Sequence, residues 1–144
     1  MTTTARIGSG AQFWLASAVP TLTQLGEITR IMMPNSQVAE VEATHFGSPN
    51  RRREYIAGLI DDGEGTFEMN YDPNSATDVI CRAALADGVA RAYKIVIPDG
   101  VSATWEVTGT CIVKGYERNV PIDDRMTAAL TIRFTGAATE AAGA

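Results

Sequence analysis

The feature that most constrains the fold is a strict alternation of apolar side chains with polar or small ones between Met126 and Phe134. Successive side chains of a strand point to opposite faces, so this alternation places one set in a core and the other outside. The apolar set consists of Met126, Ala128, Leu130, Ile132 and Phe134. The same period recurs at Tyr93, Ile95 and Ile97. We therefore predict a chain built mainly from antiparallel strands.

Further strands are predicted on either side of the segment 61–65, whose Asp and Gly residues are typical of turns. Tyr55 to Ile60 and Thr66 to Tyr71 flank this segment, and the arrangement predicts a hairpin. Trp105 to Tyr116 is a longer strand, in which Gly109 indicates a bulge. Two weaker strand candidates are Gln12 to Ser17 and Leu25 to Met33.

One helix is predicted at about 72–87. Asp72 can cap it, Pro73 fits its first turn, and Gly88 suits the position just after its end. The expected fold class is mainly β (α+β): an antiparallel β-sandwich or open barrel with one flanking helix. The chain of 144 residues fits a single domain, with a flexible arm at 1–10 and a flexible tail at 136–144.

A long inter-strand loop is expected at about 34–53. Loops beyond about 12–15 residues are uncommon in compact domains and are usually functional or disordered. This segment contains Val38, Val41 and Phe46, which a purely solvated loop does not need. The sequence therefore predicts that it docks onto a neighbouring subunit.

The charge balance argues against a grip on nucleic acid. The formal net charge is -5 and the sequence pI is about 4.8, whereas phosphate binding needs a basic surface. An acidic surface instead repels DNA. The two cysteines, Cys81 and Cys111, have neither the number nor the spacing of a disulfide framework or a metal knuckle. We expect both to be buried, reduced thiols in a protein made in a cytoplasm.

Sites for catalysis, metals or cofactors are weakly supported. The only histidine, His45, lies in the long loop, where an exposed or interfacial role is favoured over that of a catalytic base. The carboxylates at Asp61, Asp62 and Glu64 lie in a turn-like segment that lacks the ligand spacing of a calcium loop, and Asp123 and Asp124 also lie in a turn-like segment. We therefore expect no enzyme activity, no metal and no cofactor.

The one basic run, Arg51-Arg52-Arg53, has two open interpretations. It is either the solvated end of a loop or a set of salt-bridging groups for an acidic neighbouring subunit. These features together favour a binding or assembly protein without identifying which one.

Two stretches resemble phage tail tube proteins, in particular those of the lambdoid type. In the first, the shared residues are Gly58-Leu59, Asp61, Gly63-Glu64, Phe67 and Asp72-Pro73. The second runs from Ala90 to Gly100 and resembles the family's segment after the helix. The order of elements carries the resemblance, which extends over roughly 11–135.

The resemblance implies a structural subunit that forms hexameric rings stacked into a hollow tube. DNA would pass through the lumen without specific binding. The partners implied are further copies of the chain and the tape-measure, tail terminator and tail-tip proteins of one virion, assembled in the bacterial host cytoplasm; no membrane is implied. The expected subunit interface comprises Val38, Val41, His45, Phe46, Arg51, Arg52 and Arg53. The expected lumen-facing residues are Glu64, Glu68, Glu106, Thr108 and Thr110.

Three other functions remain open at this point. One is a tail completion protein or the inner tube of a contractile injection system with the same fold. Another is a small β-sandwich module that binds carbohydrate or peptide as a monomer with a defined pocket. The third is a hydrolase, which would depend on His45.

Overall fold

The computed structural model of the chain describes residues 8–18, 21–98 and 104–142. Residues 1–7 of the expected N-terminal arm lie outside this part. The elements in chain order are β1 (Gln12–Ala18), β2 (Thr21–Gln24), β3 (Ile28–Arg30), β4 (Gln37–Glu42), a 3-10 turn (Pro49–Arg51), β5 (Tyr55–Asp61), β6 (Glu64–Asn70), α1 (Ala76–Asp87), β7 (Arg91–Pro98), β8 (Thr104–Asn119) and β9 (Thr127–Ala142).

Seven of the strands form one antiparallel sheet in the order β2-β1-β7-β8-β9-β6-β3. The sheet curls into a half-barrel, because β1 and β6 are separated by three strands and yet pack against each other. The rings of Phe13 and Phe67 lie 4.0 Å apart between centroids. Helix α1 packs on this core with Ile80, Cys81 and Ala84. The predicted fold class, mainly β with an open barrel and one helix, is confirmed.

The longest pairing joins β8 and β9, each of 16 residues. The predicted core set on β9 is confirmed for Ala128, Leu130, Ile132 and Phe134, which are all buried. The prediction of a flexible tail at 136–144 is wrong up to residue 142, since Ala142 pairs with Trp105 on β8. Backbone pairing orders this stretch, and its small side chains give no sign of that order in the sequence.

Gly109 lies at an irregularity in this pairing, as predicted, between Thr108 and Thr110. The Tyr93 hydroxyl oxygen lies only 3.0 Å from the point where a Cβ on Gly109 would stand. Any larger residue at this position would have to displace a buried aromatic ring. The glycine therefore serves packing as well as backbone geometry.

The start of the helix differs from the prediction. Its first residue is Ala76, and its cap is Ser75, whose side chain accepts a hydrogen bond from the Asp78 N–H at 3.3 Å. Asp72 belongs instead to the preceding turn, in which Asn74 adopts a left-handed backbone with φ of 60°. The predicted end is confirmed, because Gly88 adopts φ of 63° directly after the last turn.

Asp78 ties the helix to the sheet. Its buried carboxylate accepts hydrogen bonds from the Asn74 N–H at 3.0 Å, the Arg82 Nε at 3.0 Å and the Tyr116 hydroxyl at 2.9 Å. Burial alone would raise its pKa, but these hydrogen bonds outweigh burial and hold the pKa below the ordinary value. Asp78 is therefore a charged anchor inside the structure, and it connects α1 with β8.

Strands β4 and β5 form a separate two-stranded sheet, here called the hairpin arm (residues 37–61). Two predictions are wrong here. The expected loop 34–53 contains strand β4, which pairs with β5 from Gln37↔Asp61 to Glu42↔Tyr55. The expected hairpin between β5 and β6 is absent from the described ladders, because β6 pairs with β9 and β3. Asp62 and Gly63 connect the two sheets.

We predict that Leu130→Ala lowers the free energy of unfolding by about 2–5 kcal/mol, because it removes methyl groups from a close-packed site. Leu130 is fully buried, whereas Leu59 on the hairpin arm is 88% exposed. Leu59→Ala is the matched control and should change the free energy of unfolding by less than about 0.5 kcal/mol. Denaturant titration of the isolated subunit measures both values, and equal losses would contradict this assignment of the core.

We also predict that Asp78 contributes to acid sensitivity. A carboxyl with a lowered pKa stabilises the fold above its unfolded-state pKa of about 3.9 and loses that contribution as the pH falls through the folded-state pKa. Asp78→Asn should therefore destabilise the subunit at neutral pH and flatten the loss of stability on acidification. Thermal unfolding at a series of pH values tests this, and an unchanged pH profile would refute it.

Candidate assembly surfaces

The hairpin arm exposes apolar side chains that the free subunit does not cover. Val38 lies opposite Ile60 and Val41 lies opposite Ile56, so the members of each pair share a face. An extra residue in β5 between the two pairs shifts the register and places them on opposite faces of the arm. The four side chains are 46–67% exposed. Gly58 lies between Ile56 and Ile60 and leaves room for close contact with β4.

An isolated two-stranded hairpin is marginally stable in water. Every residue of β4 is exposed, and in β5 only Gly58 is even partly buried. Exposed apolar surface of this kind marks an interaction site. The expected interface residues Val38 and Val41 are thus exposed on the arm, but they are part of a strand and not of a loop.

The tip of the arm, residues 43–54, is organised around Glu54. Its carboxylate accepts a hydrogen bond from the Ser48 hydroxyl at 2.7 Å and lies 3.4 Å from the His45 Nε2. The other imidazole nitrogen of His45 accepts from the Gly47 N–H at 3.0 Å. His45 therefore has a structural role within the tip, and the Ser48 hydroxyl hydrogen-bonds to Glu54 rather than to the imidazole.

The tip presents one aromatic ring and three guanidinium groups to solvent. Phe46 is fully exposed. Asn50 and Arg51 both adopt left-handed backbone, with φ of 56° and 55°. Such conformations cost about 1–3 kcal/mol each for non-glycine residues and tend to occur at functional sites. Within the described residues, Arg51, Arg52 and Arg53 form no ion pair.

Charged groups fasten the base of the arm to the main sheet. The Arg133 Nη2 lies 2.5 Å from the Asp61 Oδ2, and Lys114 pairs with Glu64 beside it. The Gly63 N–H and then Arg133 hold the pKa of Asp61 below its ordinary value, and Lys114 does the same for Glu64. Asp62 is buried and accepts from the Ser36 hydroxyl at 2.5 Å.

A second surface is the outer side of the seven-stranded sheet, here called the polar face. It carries the residues that alternate with the core positions, among them the expected lumen residues Glu64, Glu68, Glu106, Thr108 and Thr110. The structure brings these five onto one surface across β6 and β8. The arm residues form a different surface at one end of the same sheet.

Basic residues neutralise the acids of the polar face. Glu68 lies 3.8 Å from Arg30, and Glu106 lies 3.4 Å from Lys94. The Lys94 ammonium also lies over the Trp14 ring, 4.7 Å from its centre. The polar face therefore combines threonine hydroxyls with compensated charges and is not strongly acidic in the free subunit.

Sequence reasoning missed Ile56, Leu59 and Ile60 as surface residues because it assigned β5 to a hairpin with β6. The apolar side chains of β5 are visible in the sequence, but its pairing partner is not. A signal is present in the apolar positions of both segments, since Val38 and Val41 in one lie directly opposite Ile60 and Ile56 in the other.

Two classes of site can be compared with the expectations. Among the described residues, no three His, Cys, Asp or Glu side chains are grouped closely enough to hold a metal ion. Of the helices searched in that part of the chain, none is long and apolar enough to cross a membrane.

Both cysteines are buried free thiols, as expected, and burial raises the pKa of each to about 12.

Comparison with known proteins gives a match to one family. The family described as lambda phage tail tube protein matches residues 8–141. No curated protein matches the chain in sequence.

Several solved structures share the fold. The tail of an empty gene transfer agent particle with C6 symmetry is 17% identical, with a TM-score of 0.74, over 94% of this chain and 98% of that one. A chain of the anti-feeding prophage baseplate is 14% identical, with a TM-score of 0.72, over 98% and 97%. The SPP1 tail tube is 11% identical, with a TM-score of 0.66, over 93% and 77%.

We predict that the hairpin arm of the free subunit opens independently of the main sheet. Because its amides are paired only within two exposed strands, their protection from hydrogen exchange should be lost well before that of β8 and β9. Exchange measured by mass spectrometry on dilute subunit tests this. Equal protection of the arm and of β9 would show that the arm is a fixed part of the domain.

Proposed function

The chain belongs to the lambda phage tail tube protein family, and from this premise we propose that it assembles as stacked hexameric rings into a hollow tail tube that delivers DNA. The observation that carries the proposal is the set of uncovered aliphatic side chains on the hairpin arm, Val38, Val41, Ile56 and Ile60. A free subunit gains nothing from displaying such side chains, whereas a polymer can bury them. The sixfold symmetry recorded for the gene transfer agent tail supports the hexamer.

Two free energies show whether the arm alone can hold two subunits together. Burying the exposed halves of Val38, Val41, Ile56 and Ile60 contributes roughly 3–6 kcal/mol, from about 1.5–3 kcal/mol per fully buried side chain. Association costs about 4–15 kcal/mol in lost rigid-body freedom. The arm therefore needs further contacts, and repeated contacts around a ring supply them.

The edges of the main sheet are candidates for those contacts. Its two edge strands are β2, with four residues, and β3, with three. Short edges limit uncontrolled pairing but can still accept a neighbouring strand in a defined ring. Pairing at these edges would extend the half-barrel from one subunit to the next.

We assign the polar face to the lumen. Threonine hydroxyls and compensated charges offer DNA no run of unpaired cations, so phosphates do not stick to the wall during delivery. The acidic balance of the whole chain, at -5, works in the same direction. In this assignment DNA passes without specific binding.

The particle would supply the remaining partners. A tube of this kind needs a tape-measure protein to set its length, a terminator at one end and tail-tip proteins at the other. We place the chain in the virion tail, with assembly in the bacterial host cytoplasm and a structural role without catalysis.

The inner tube of a contractile injection system is the second candidate, favoured by the fold shared with a chain of the sheath-tube complex of an extracellular contractile injection system. Such a tube must bind a sheath on its outer wall. A sheath gene beside this one, or co-purification of the tube with a sheath protein, would support this candidate over a non-contractile tail.

Negative-stain microscopy of concentrated subunit tests the tube. We predict long hollow tubes for the wild-type chain and none for Leu59→Asp, because a charge in the arm opposes burial against a neighbour. Leu59→Met is the control and should polymerise normally. Leu59 is 88% exposed, so both variants should keep the melting temperature of the wild type. Uniform monomers of the wild-type chain at all concentrations would contradict the proposal.

Cysteine labelling tests the lumen. Thr110→Cys places an accessible thiol on the polar face, while the two native thiols are buried. In assembled tubes we predict reaction with a small maleimide through the open bore, and slow reaction with a maleimide carried on a bulky polymer. A cysteine at Phe46 in free subunit is the control for full access. Equal labelling of Thr110→Cys by both reagents in intact tubes would place the polar face on the outer wall.

A further inference from the structure

We propose that the tip of the hairpin arm docks head-to-tail on the turn between β8 and β9 of a second copy of the chain. The proposal rests on the proposed tube function and names the receptor for the arm. The tip is basic and aromatic, and the turn, residues 120–126, is apolar and acidic.

The turn has exposed apolar groups without any cover. Val120 is 66% exposed and Ile122 is fully exposed. The carboxylates of Asp123 and Asp124 form no ion pair within the described residues. Arg125 forms no ion pair with them, and its guanidinium donates instead to the Asn70 Oδ1 on β6 at 2.5 Å.

The tip has the opposite charge and the same apolar character. Phe46 matches the two aliphatic side chains of the turn, and the unpaired Arg52 and Arg53 match its two acids. The left-handed backbone at Asn50 and Arg51 fixes the direction in which these arginines leave the loop. Strain of this kind, without a partner in the free subunit, is expected where a partner comes from elsewhere.

The base of the arm and the turn lie at opposite ends of the same strands. The arm joins the sheet at Glu64, which pairs with Arg133, and the turn borders the row Asn70↔Thr127↔Asn119. Six residues along β6 separate the two rows, which is about 20 Å at roughly 3.3 Å per residue. The arm base also lies beside Gly136 to Glu140, further still from the turn.

A contact between opposite ends is made between copies rather than within one. A second copy displaced along the strand direction brings its turn to the tip of the first. Such a contact is heterologous, so a row of copies keeps a free tip at one end and a free turn at the other, and the assembly grows without closing. That property is what the stacking of rings into a tube requires.

The exposed side of the helix is a poorer receptor. It carries Val79 and Leu85 in the helix and Val89 just beyond it, all partly exposed. However, the nearby carboxylates of Asp78 and Asp87 are already paired with Arg82 and Arg91. The turn between β8 and β9 offers the arginines free carboxylates beside exposed apolar groups.

Charge reversal tests the contact. Arg52→Glu with Arg53→Glu, and separately Asp123→Lys with Asp124→Lys, should each raise the concentration needed for polymerisation by roughly tenfold or more, because like charges then face each other. The chain that carries all four changes should recover. Arg52→Lys with Arg53→Lys, and Asp123→Glu with Asp124→Glu, keep the charges and serve as matched controls.

Disulfide cross-linking tests the same contact without changing any charged residue. A chain with Phe46→Cys and Ile122→Cys should give a ladder of oligomers on mild oxidation of assembled protein, since each copy contributes to two bonds. The native cysteines are buried and do not interfere. Either cysteine alone should give no ladder. Phe46→Cys with Val89→Cys is the matched control for the helix face and should also give none.

The outcomes separate this proposal from the tube itself. Wild-type tubes that are indifferent to the charge reversals, or a ladder from the Val89 pair in place of the Ile122 pair, would overturn the docking site and leave the tube function intact. Failure of the wild-type chain to polymerise at all, with no ladder from any pair, would overturn both. Recovery by the fourfold reversal together with the Phe46–Ile122 ladder would establish the contact.

Discussion

The pairing of β8 with β9 is the constraint on which the rest of the structure depends. Both strands run for 16 residues, and every other strand of the main sheet is attached through one of them. Strand β7 continues the sheet from β8, and β6 continues it from β9. The buried side chains of β9, from Ala128 to Phe134, then set the curl by packing against residues from both halves. The Asp78 carboxylate fixes the helix to the same frame through Tyr116.

The curl also explains why the hairpin arm exists as a separate unit. Strand β6 is already paired on both sides, with β9 and β3, so β5 has no place in the main sheet. Residues 37–61 pair with each other instead and leave the domain at the Asp62-Gly63 connection. The ion pair between Asp61 and Arg133 then holds the base of the arm. An exposed apolar arm on a rigid base is well suited to assembly, because it adds buried area only when a neighbour is present.

Sequence patterns predicted the elements that depend on side-chain alternation. Leu130 and Ile132 were placed in the core, and Gly109 and Gly88 were assigned their backbone roles, because each has a local physical signature. The errors concern pairing. Nothing local in Tyr55 to Ile60 distinguishes a partner at 66–71 from one at 37–42, since both are short segments that contain apolar side chains. The tail up to Ala142 was misjudged for a related reason, since its order comes from backbone pairing with β8. Of the candidate site, the sequence indicated Val38, Val41, Phe46 and the arginines, and missed the exposed apolar side chains of β5.

A cryo-EM structure of the assembled tube tests the central claim most directly, namely that the hairpin arm is an assembly element completed only by a neighbouring copy. The account predicts that Val38, Val41, Ile56 and Ile60 become buried against an adjacent subunit while the core of the main sheet stays unchanged. A tube in which these four side chains of the arm remain in solvent, with all subunit contacts made by the main sheet alone, would contradict it.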